Sequence, residues 1–443
     1  MKRDLTQGSV SKALLSFSLP YLLSYFLQTL YGMADLYITG KYCRVDNITA
    51  VTNGSQLMHM ITVVIVGLAM GTTVMIGHSE GEKNHKKTAL CVGNSTLLFA
   101  VFSVLLSAAL ILSCDRIMQI MSVPAEAVPF TRQYLIICFA GIPFITAYNV
   151  LSSVFRGMGD SKTPLFIVFV ACCINIGLDF VFIGAIKLAA AGAALGTTIS
   201  QSVSVVIALI IIKKKRLLPS IDKSSFKLNN IIMKGLLKIG IPIAVQDGFI
   251  QIAFLVITVI ANRRSLDDAA AVGVVEKLIG ILFLVPSSML SSVSALSAIN
   301  IGAKRHDRAR QILRQAILVC TCFGLVSAVG LQFFAREAVW LFVKEESVIM
   351  LGAQYLRGYV WDCIFAGIHF CFSGYFCALG RSGLSFMHNC IAILSARIPL
   401  AYLASIRFPD NLFPMGLATT TGSLVSVMIC IIAYIVLTKK QKA

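Results

Sequence analysis

Long apolar runs follow one another from residue 13 to residue 438, broken only by short polar stretches. A membrane-spanning helix takes about 20 apolar residues. That ruler divides the chain into twelve segments: 13–39, 48–77, 87–113, 128–155, 163–184, 189–212, 233–261, 269–299, 309–335, 347–377, 383–406 and 412–438. Several exceed the minimum, which predicts tilted helices or helix extending past the hydrocarbon. Turn and charge chemistry separates them, as at Gly40-Lys41, Asp115-Arg116 and Arg407 to Asp410. The first run follows Lys2 and Arg3 as a signal peptide would. It is too long for one and no small-residue cleavage site follows, so it reads as the first spanning helix.

Composition sharpens this. Of 443 residues, 57% are hydrophobic and 13% charged, with a mean hydropathy of +0.84. A soluble enzyme, a disordered chain and a single-anchor protein are all excluded. The fold class expected is an all-α membrane protein. The 13 cysteines sit mostly in apolar runs (Cys172, Cys173, Cys371, Cys377), with no CxxC pair. Cys320 and Cys322 point in different directions on a helix. Buried thiols acting as small hydrophobes explain them better than a disulfide framework or metal site.

The net charge of +18 would suggest nucleic acid in a soluble protein. Here its distribution gives another reason. Twelve spans put both termini on one side. Of the 38 Lys and Arg, 25 fall on that side, including Lys2, Arg3, the run Lys213 to Arg216 and Lys304 to Arg314, against 11 opposite. The excess marks the cytoplasmic side, so both termini are expected in the cytoplasm and no nucleic-acid partner is expected.

The longest cytoplasmic loop lies mid-chain, and the two halves match around it. Gly81-Glu-Lys83 pairs with Gly302-Ala-Lys304 and Phe155-Arg-Gly-Met-Gly159 with Phe376-Cys-Ala-Leu-Gly380, both shifted by 221. The stretch Leu14 to Pro20 pairs with Leu236 to Pro242, and Gly192-Ala-Ala194 with Gly416-Leu-Ala418, shifted by 222 and 224. The expected organisation is an N-terminal six-helix lobe over 1–216, a linker over 217–232 and a C-terminal six-helix lobe over 233–443. Six spans per half make the lobes parallel repeats about a pseudo-two-fold axis along the membrane normal, a plan used by secondary transporters. Duplication serving folding alone is the plainer explanation of the same pattern.

Charged residues inside spans cost roughly 2.5–3.5 kcal/mol on insertion scales and usually mark ion or proton paths. Asp35 in segment 1 and Asp179 in segment 5 both lie about 7–8 Å below the outer end of their helices. Asn175 is one turn deeper on the face of Asp179. Thr197 lies about 12 Å down segment 6. These four oxygen-bearing side chains fit one layer, suited to Na⁺ or to a proton held on a carboxylate. Helix capping or a wet crevice would explain the acids without transport. The equivalent second-half positions, near Ile257 and Leu400–Leu403, carry no acid.

The second half has other buried polar candidates: Gln246, Asp247, Glu276, Lys277 and Arg397. They fit a substrate site or a structural ion cluster. Adjacent Glu276 and Lys277 do not face each other on a helix, so Glu276 needs another partner, for which Arg397 is a candidate. Pro20 and Pro242 occupy matching mid-span positions and suit hinges or packing. His59 and His369 read as hydrogen-bonded core residues.

Together these motifs resemble the multidrug and toxic compound extrusion (MATE) family, in its bacterial branch with a polar N-lobe site. The carriers are Pro20 to Asp35, the Gly81-Glu-Lys loop and its copy, Phe155-Arg-Gly-Met-Gly-Asp160-Ser-Lys-Thr-Pro164, Asn175-x-x-x-Asp179 and Gly192-Ala-Ala-Leu-Gly-Thr197. The resemblance covers essentially the whole chain. It implies that Asp35, Asn175, Asp179 and Thr197 form the coupling site, with Tyr31 nearby. It implies a multi-pass monomer of the bacterial inner membrane with no enzyme activity and no cofactor. The coupling ion would be H⁺ or Na⁺, and the partners the lipid bilayer and small organic compounds, often cations. A related branch carries C-lobe acids that would fall near Ile250 and Ala366; Asp247 and Asp362 are out of that register.

Two other readings compete with an antiporter. A flippase for a lipid-linked precursor has related architecture and wants a large basic cavity. An intramembrane aspartyl protease is suggested by Gly157-Met-Gly-Asp160, but Asp160 lies in a cytoplasmic loop, far from Asp179.

Overall fold

Backbone groups in a bilayer must be paired within the segment, so apolar runs of this length fold as helices. The computed structural model describes residues 4–215, 217–218 and 221–442. Lys2, Arg3 and Arg216, counted above as cytoplasmic, lie outside the described residues. The first six spans are α1 (Val10–Tyr42), α2 (Val45–Gly81), α3 (His85–Leu112) with the short α4 (Cys114–Ile120), α5 (Val128–Gly157), α6 (Lys162–Asp179) continued by a π-helical stretch over Phe180–Ala185, and α7 (Ala189–Lys214). The second six are α8 (Asn230–Asn262), α9 (Leu266–Leu282) running into α10 (Leu284–Gly302), α11 (His306–Trp340), α12 (Glu346–Tyr359) with α13 (Asp362–Ala378), α14 (Ser382–Ala392) continued by a π stretch over Ile393–Arg397 and α15 (Ile398–Arg407), and α16 (Phe413–Lys442).

Every expected segment corresponds to one of these spans. Eleven described helices are long and apolar enough to cross a membrane, and the pair α12 and α13, bent by 43°, makes the twelfth. The chain is an all-α membrane protein of twelve spans in two six-helix lobes.

The repeat extends to the turns. Lys83 and Lys304 both take left-handed backbone, with φ 55° and 59°, and Gly159 and Gly380 do so at 81° and 68°. Each closes a helix with the same reach-back bond. Asn84 N donates to Ser79 O and Arg305 N to Asn300 O, at 2.9 and 2.8 Å. Asp160 N donates to Phe155 O and Arg381 N to Phe376 O, at 2.9 and 2.8 Å. These are helix C-caps in which the left-handed residue turns the chain back on orphan carbonyls. Asp160 also accepts from the backbone of Lys162 and Thr163, so it caps α6. It stands at the far end of α6 from Asp179, about 25 Å away by helical rise, which leaves no pair for an aspartyl protease.

By packing, one compact unit comprises Leu23–Gly240 and the other Met1–Leu22 with Ile241–Ala443. This grouping cuts α1 just after Pro20 and α8 just before Pro242.

Within the Leu23–Gly240 unit the start of α8 seats on α2, where a Cβ on Gly71 would lie 2.4 Å from Leu236 O. Asn94 holds the linker, its amide donating to Lys227 O and its carbonyl accepting from Asn229 N. Within the other unit Arg308 grips the N-terminal segment, donating to the carbonyls of Leu5, Gln7 and Gly8. Arg305 adds a bond to Thr6 O. These arginines thus have a structural task beside their topological one.

Candidate functional site

Three helices of the Leu23–Gly240 unit bring the first polar cluster together. α1 supplies Asp35, α6 supplies Asn175 and Asp179, and α7 supplies Thr197. Asp35, Asn175 and Asp179 are all buried, at 5%, 1% and 0% exposure. Thr197 Oγ1 donates to Asp35 Oδ2 over 3.5 Å. Asp179 and Asn175 lie close to the Asp35 carboxyl without a hydrogen bond to it.

Local sequence explains how such groups meet. Gly196 precedes Thr197 on α7, and a Cβ there would come within 2.4 Å of Asp179 Oδ1 and 3.7 Å of Asn175 Nδ2. Only a residue without a side chain lets the carboxylate lie against the α7 backbone. Directly after Asp179 the helix widens into the π stretch, closed by Ile186 N donating to Val181 O at 2.8 Å. Such bulges inside helices often sit at functional sites. On α1, Thr39 Oγ1 folds back to Asp35 O at 2.7 Å.

Tyr31, Tyr134, Cys138 and Cys172 surround Asp35. Tyr134 fits because Gly54 leaves room, its ring lying 2.3 Å from where a Gly54 Cβ would be. Inside this shell several oxygens have no hydrogen-bond partner: Asp35 Oδ1, both Asp179 oxygens and Asn175 Oδ1. Buried polar atoms are ordinarily satisfied. Two neighbouring carboxylates in a buried site do not both stay charged without a compensating cation or proton. The donor set is all oxygen, the chemistry a hard cation takes, and it equally suits a shared proton.

The second-lobe residues do not form one group. Lys277 is exposed while neighbouring Glu276 is partly buried, so the two face apart. Glu276 accepts from Thr258 Oγ1 at 3.3 Å. The candidate Glu276–Arg397 ion pair is absent among the described residues. Arg397 instead donates through Nη2 to Tyr359 OH at 2.7 Å and stacks over Phe254, 4.8 Å from the ring centre. Aromatic stacking and a phenol suit the planar guanidinium as well as a carboxylate does. Gln246 is buried with Oε1 unpartnered, and Asp247 lies next to it, near Cys377.

Sequence reading set Asp362 aside as out of register, yet it is fully buried with both oxygens unpartnered; it missed the serine-held His388, bonded to Ser373 and Ser426 at 2.9 and 2.6 Å. His369 is buried as expected, but its Nδ1 has no partner, and it stacks edge-on to His388 at 5.6 Å. His59, expected in the core, is exposed on α2. Asp362 opens a helix after a bend, a signal that residue spacing alone does not carry.

The MatE family profile matches residues 20–181 and again 242–403, starting at the two repeat prolines. The chain belongs to the MatE family. Similar curated relatives of this MatE protein include two from Bacillus subtilis (strain 168). The probable multidrug resistance protein YpnP is 28% identical over 402 residues, covering 91% of this chain and 90% of that protein. The probable multidrug resistance protein YoeA is 26% identical over 408 residues, covering 90% and 88%. A solved structure described as an outward-facing multidrug resistance MATE transporter of the MOP superfamily superposes with a TM-score of 0.92. It is 20% identical and covers 99% of this chain and 98% of that one. At that identity the likeness speaks for the fold.

Proposed function

We propose that this MatE protein is a cation-coupled antiporter that exports small amphipathic or cationic organic compounds by alternating access between its lobes. The observation that carries the reading is the buried Asp35–Asp179 pair with its unpartnered oxygens. A buried acid pair without a fixed counter-charge is a place where a mobile cation binds and leaves. Asn175 and Thr197 complete its oxygen set, and Tyr31 stands nearby. The coupling ion is H⁺ or Na⁺. Binding it in the outward-facing state favours release of the exported compound, and releasing it inside resets the carrier. No covalent step and no cofactor enters this cycle.

The membership of the family, and the multidrug resistance names of its relatives, support an export role. The basic-loop excess supports a bacterial inner-membrane protein with both termini cytoplasmic, and the chain needs no second copy to complete the site. A flippase would display basic side chains on an open cavity. Arg397 is buried and engaged by Tyr359, which favours the antiporter.

The test is efflux of a fluorescent organic cation from proteoliposomes with Na⁺ and pH gradients imposed separately. One gradient accelerates efflux if the proposal holds. Efflux indifferent to both gradients defeats it.

A further inference from the structure

The C-terminal lobe holds a buried charge cluster that the coupling scheme leaves unused. A cavity of about 40 Å³ is bordered by Asp362, His369, Asn389, Arg397 and Ser423. Three polar side chains at its wall are more than nine-tenths buried and carry unpartnered atoms: both oxygens of Asp362, Nδ1 of His369 and Nε of Arg397. Glu276, Tyr355 and Tyr359 complete the charged and titratable groups around the guanidinium. His388 stands beyond His369 and is occupied by its two serines.

The oxygens here would make a respectable cation site. Asp362 offers two, and Ser423 stands beside it. What differs from the Asp35 cluster is a built-in positive charge. Arg397 ends the π stretch Ile393–Arg397 and enters where Gly422 leaves space, a Cβ there falling 2.8 Å from Arg397 Cβ. A guanidinium does not lose its proton in a protein. Among the described residues Arg397 makes no ion pair with Asp362 or Glu276. The gap is the cavity, which has the size and the polar partners to hold water.

We infer that Arg397 is a tethered cation that neutralises Asp362 across bound water, with Glu276 as a second nearby negative charge, and keeps mobile monovalent cations out of the C-terminal lobe. Arg397 is then a specificity determinant that confines cation binding to the other lobe. The inference deepens the antiporter proposal and rests on the Asp35 cluster being the coupling site.

Both tryptophans of the chain, Trp340 and Trp361, lie in this lobe, and Trp361 adjoins Asp362. They report on the C-terminal cluster and not on the Asp35 pair. The experiment titrates purified full-length protein with NaCl against choline chloride and reads tryptophan fluorescence. The parent is Asp35→Asn/Asp179→Asn, in which the N-terminal pair cannot answer. The parent and its Arg397→Lys derivative give no saturable Na⁺-specific response. Arg397→Met gains one, and adding Asp362→Asn removes it. A saturable response in the parent overturns the inference, as does its absence in a folded Arg397→Met protein. The parent titration alters nothing at Arg397, so it decides the exclusion claim even where Arg397→Met fails to fold. Gradient-driven efflux tests the Asp35 assignment separately, and its failure would leave the fluorescence result standing.

Discussion

Gly196→Ala perturbs the Asp35–Asp179 cluster with one methyl group and no charge. The new Cβ would lie 2.4 Å from Asp179 Oδ1. Ordinary contact between carbon and oxygen begins at about 3.3 Å, so the carboxylate must retreat by about 1 Å. Retreat is blocked on one side by Asn175, whose Nδ2 would already be 3.7 Å from the same methyl. Two stability terms oppose each other. Alanine in place of a helical glycine contributes about 0.5–1 kcal/mol, and overpacking costs about 1–3 kcal/mol. Net destabilisation is therefore about 2.5 kcal/mol or less. A displacement of this size in a positioned site is worth about 100-fold, so gradient-driven efflux in proteoliposomes falls by about 10- to 100-fold while the protein still purifies in folded form. Gly177→Ala is the control. It lies two residues from Asp179 on α6, and a Cβ there meets nothing within 4 Å. Wild-type efflux from Gly196→Ala, or an equal loss from Gly177→Ala, would refute the reasoning.

Further expectations concern parts away from that cluster. Tyr359→Phe removes the acceptor of the Arg397 bond and lowers stability by about 1–3 kcal/mol, read as a lower thermal unfolding midpoint in detergent. Gly374→Ala places a methyl 2.4 Å from Leu290 O, where α13 crosses α10, and lowers stability by about 1–3 kcal/mol or more, seen as reduced yield and midpoint. In the linker, hydrogen bonds from Ser224 and Ser225 hold the Asp222 carboxyl below its usual range. A carboxyl lowered in the folded state contributes above about pH 4 and loses its effect as pH falls through the lowered value. Asp222→Ala should therefore speed trypsin cleavage after Lys223 at neutral pH, and unchanged cleavage would count against the cap.

The twelve spans were legible because a bilayer leaves the apolar run no other fold, and their order survives in full. The repeat was legible because left-handed turns favour glycine at the same place in both halves, as at Gly159 and Gly380. Asp35, Asn175 and Asp179 stood out because a carboxylate in hydrocarbon is costly. Gly196 did not, since a helical glycine looks alike whether it packs against a neighbour or faces open space. The two π stretches were equally silent, being set by tertiary contacts rather than composition. Arg397 was matched to Glu276 on charge alone, while the fold gave it a phenol and an aromatic face.

The central claim is that the Asp35–Asp179 pair exchanges the coupling cation. Proteoliposomes carrying Asp35→Asn test it most directly when gradient-driven efflux and substrate-for-substrate exchange are measured side by side. The account predicts that exchange persists, because the carrier still folds and binds its cargo, while the imposed ion gradient no longer drives net efflux. Net efflux at the wild-type rate under the same gradient would contradict it.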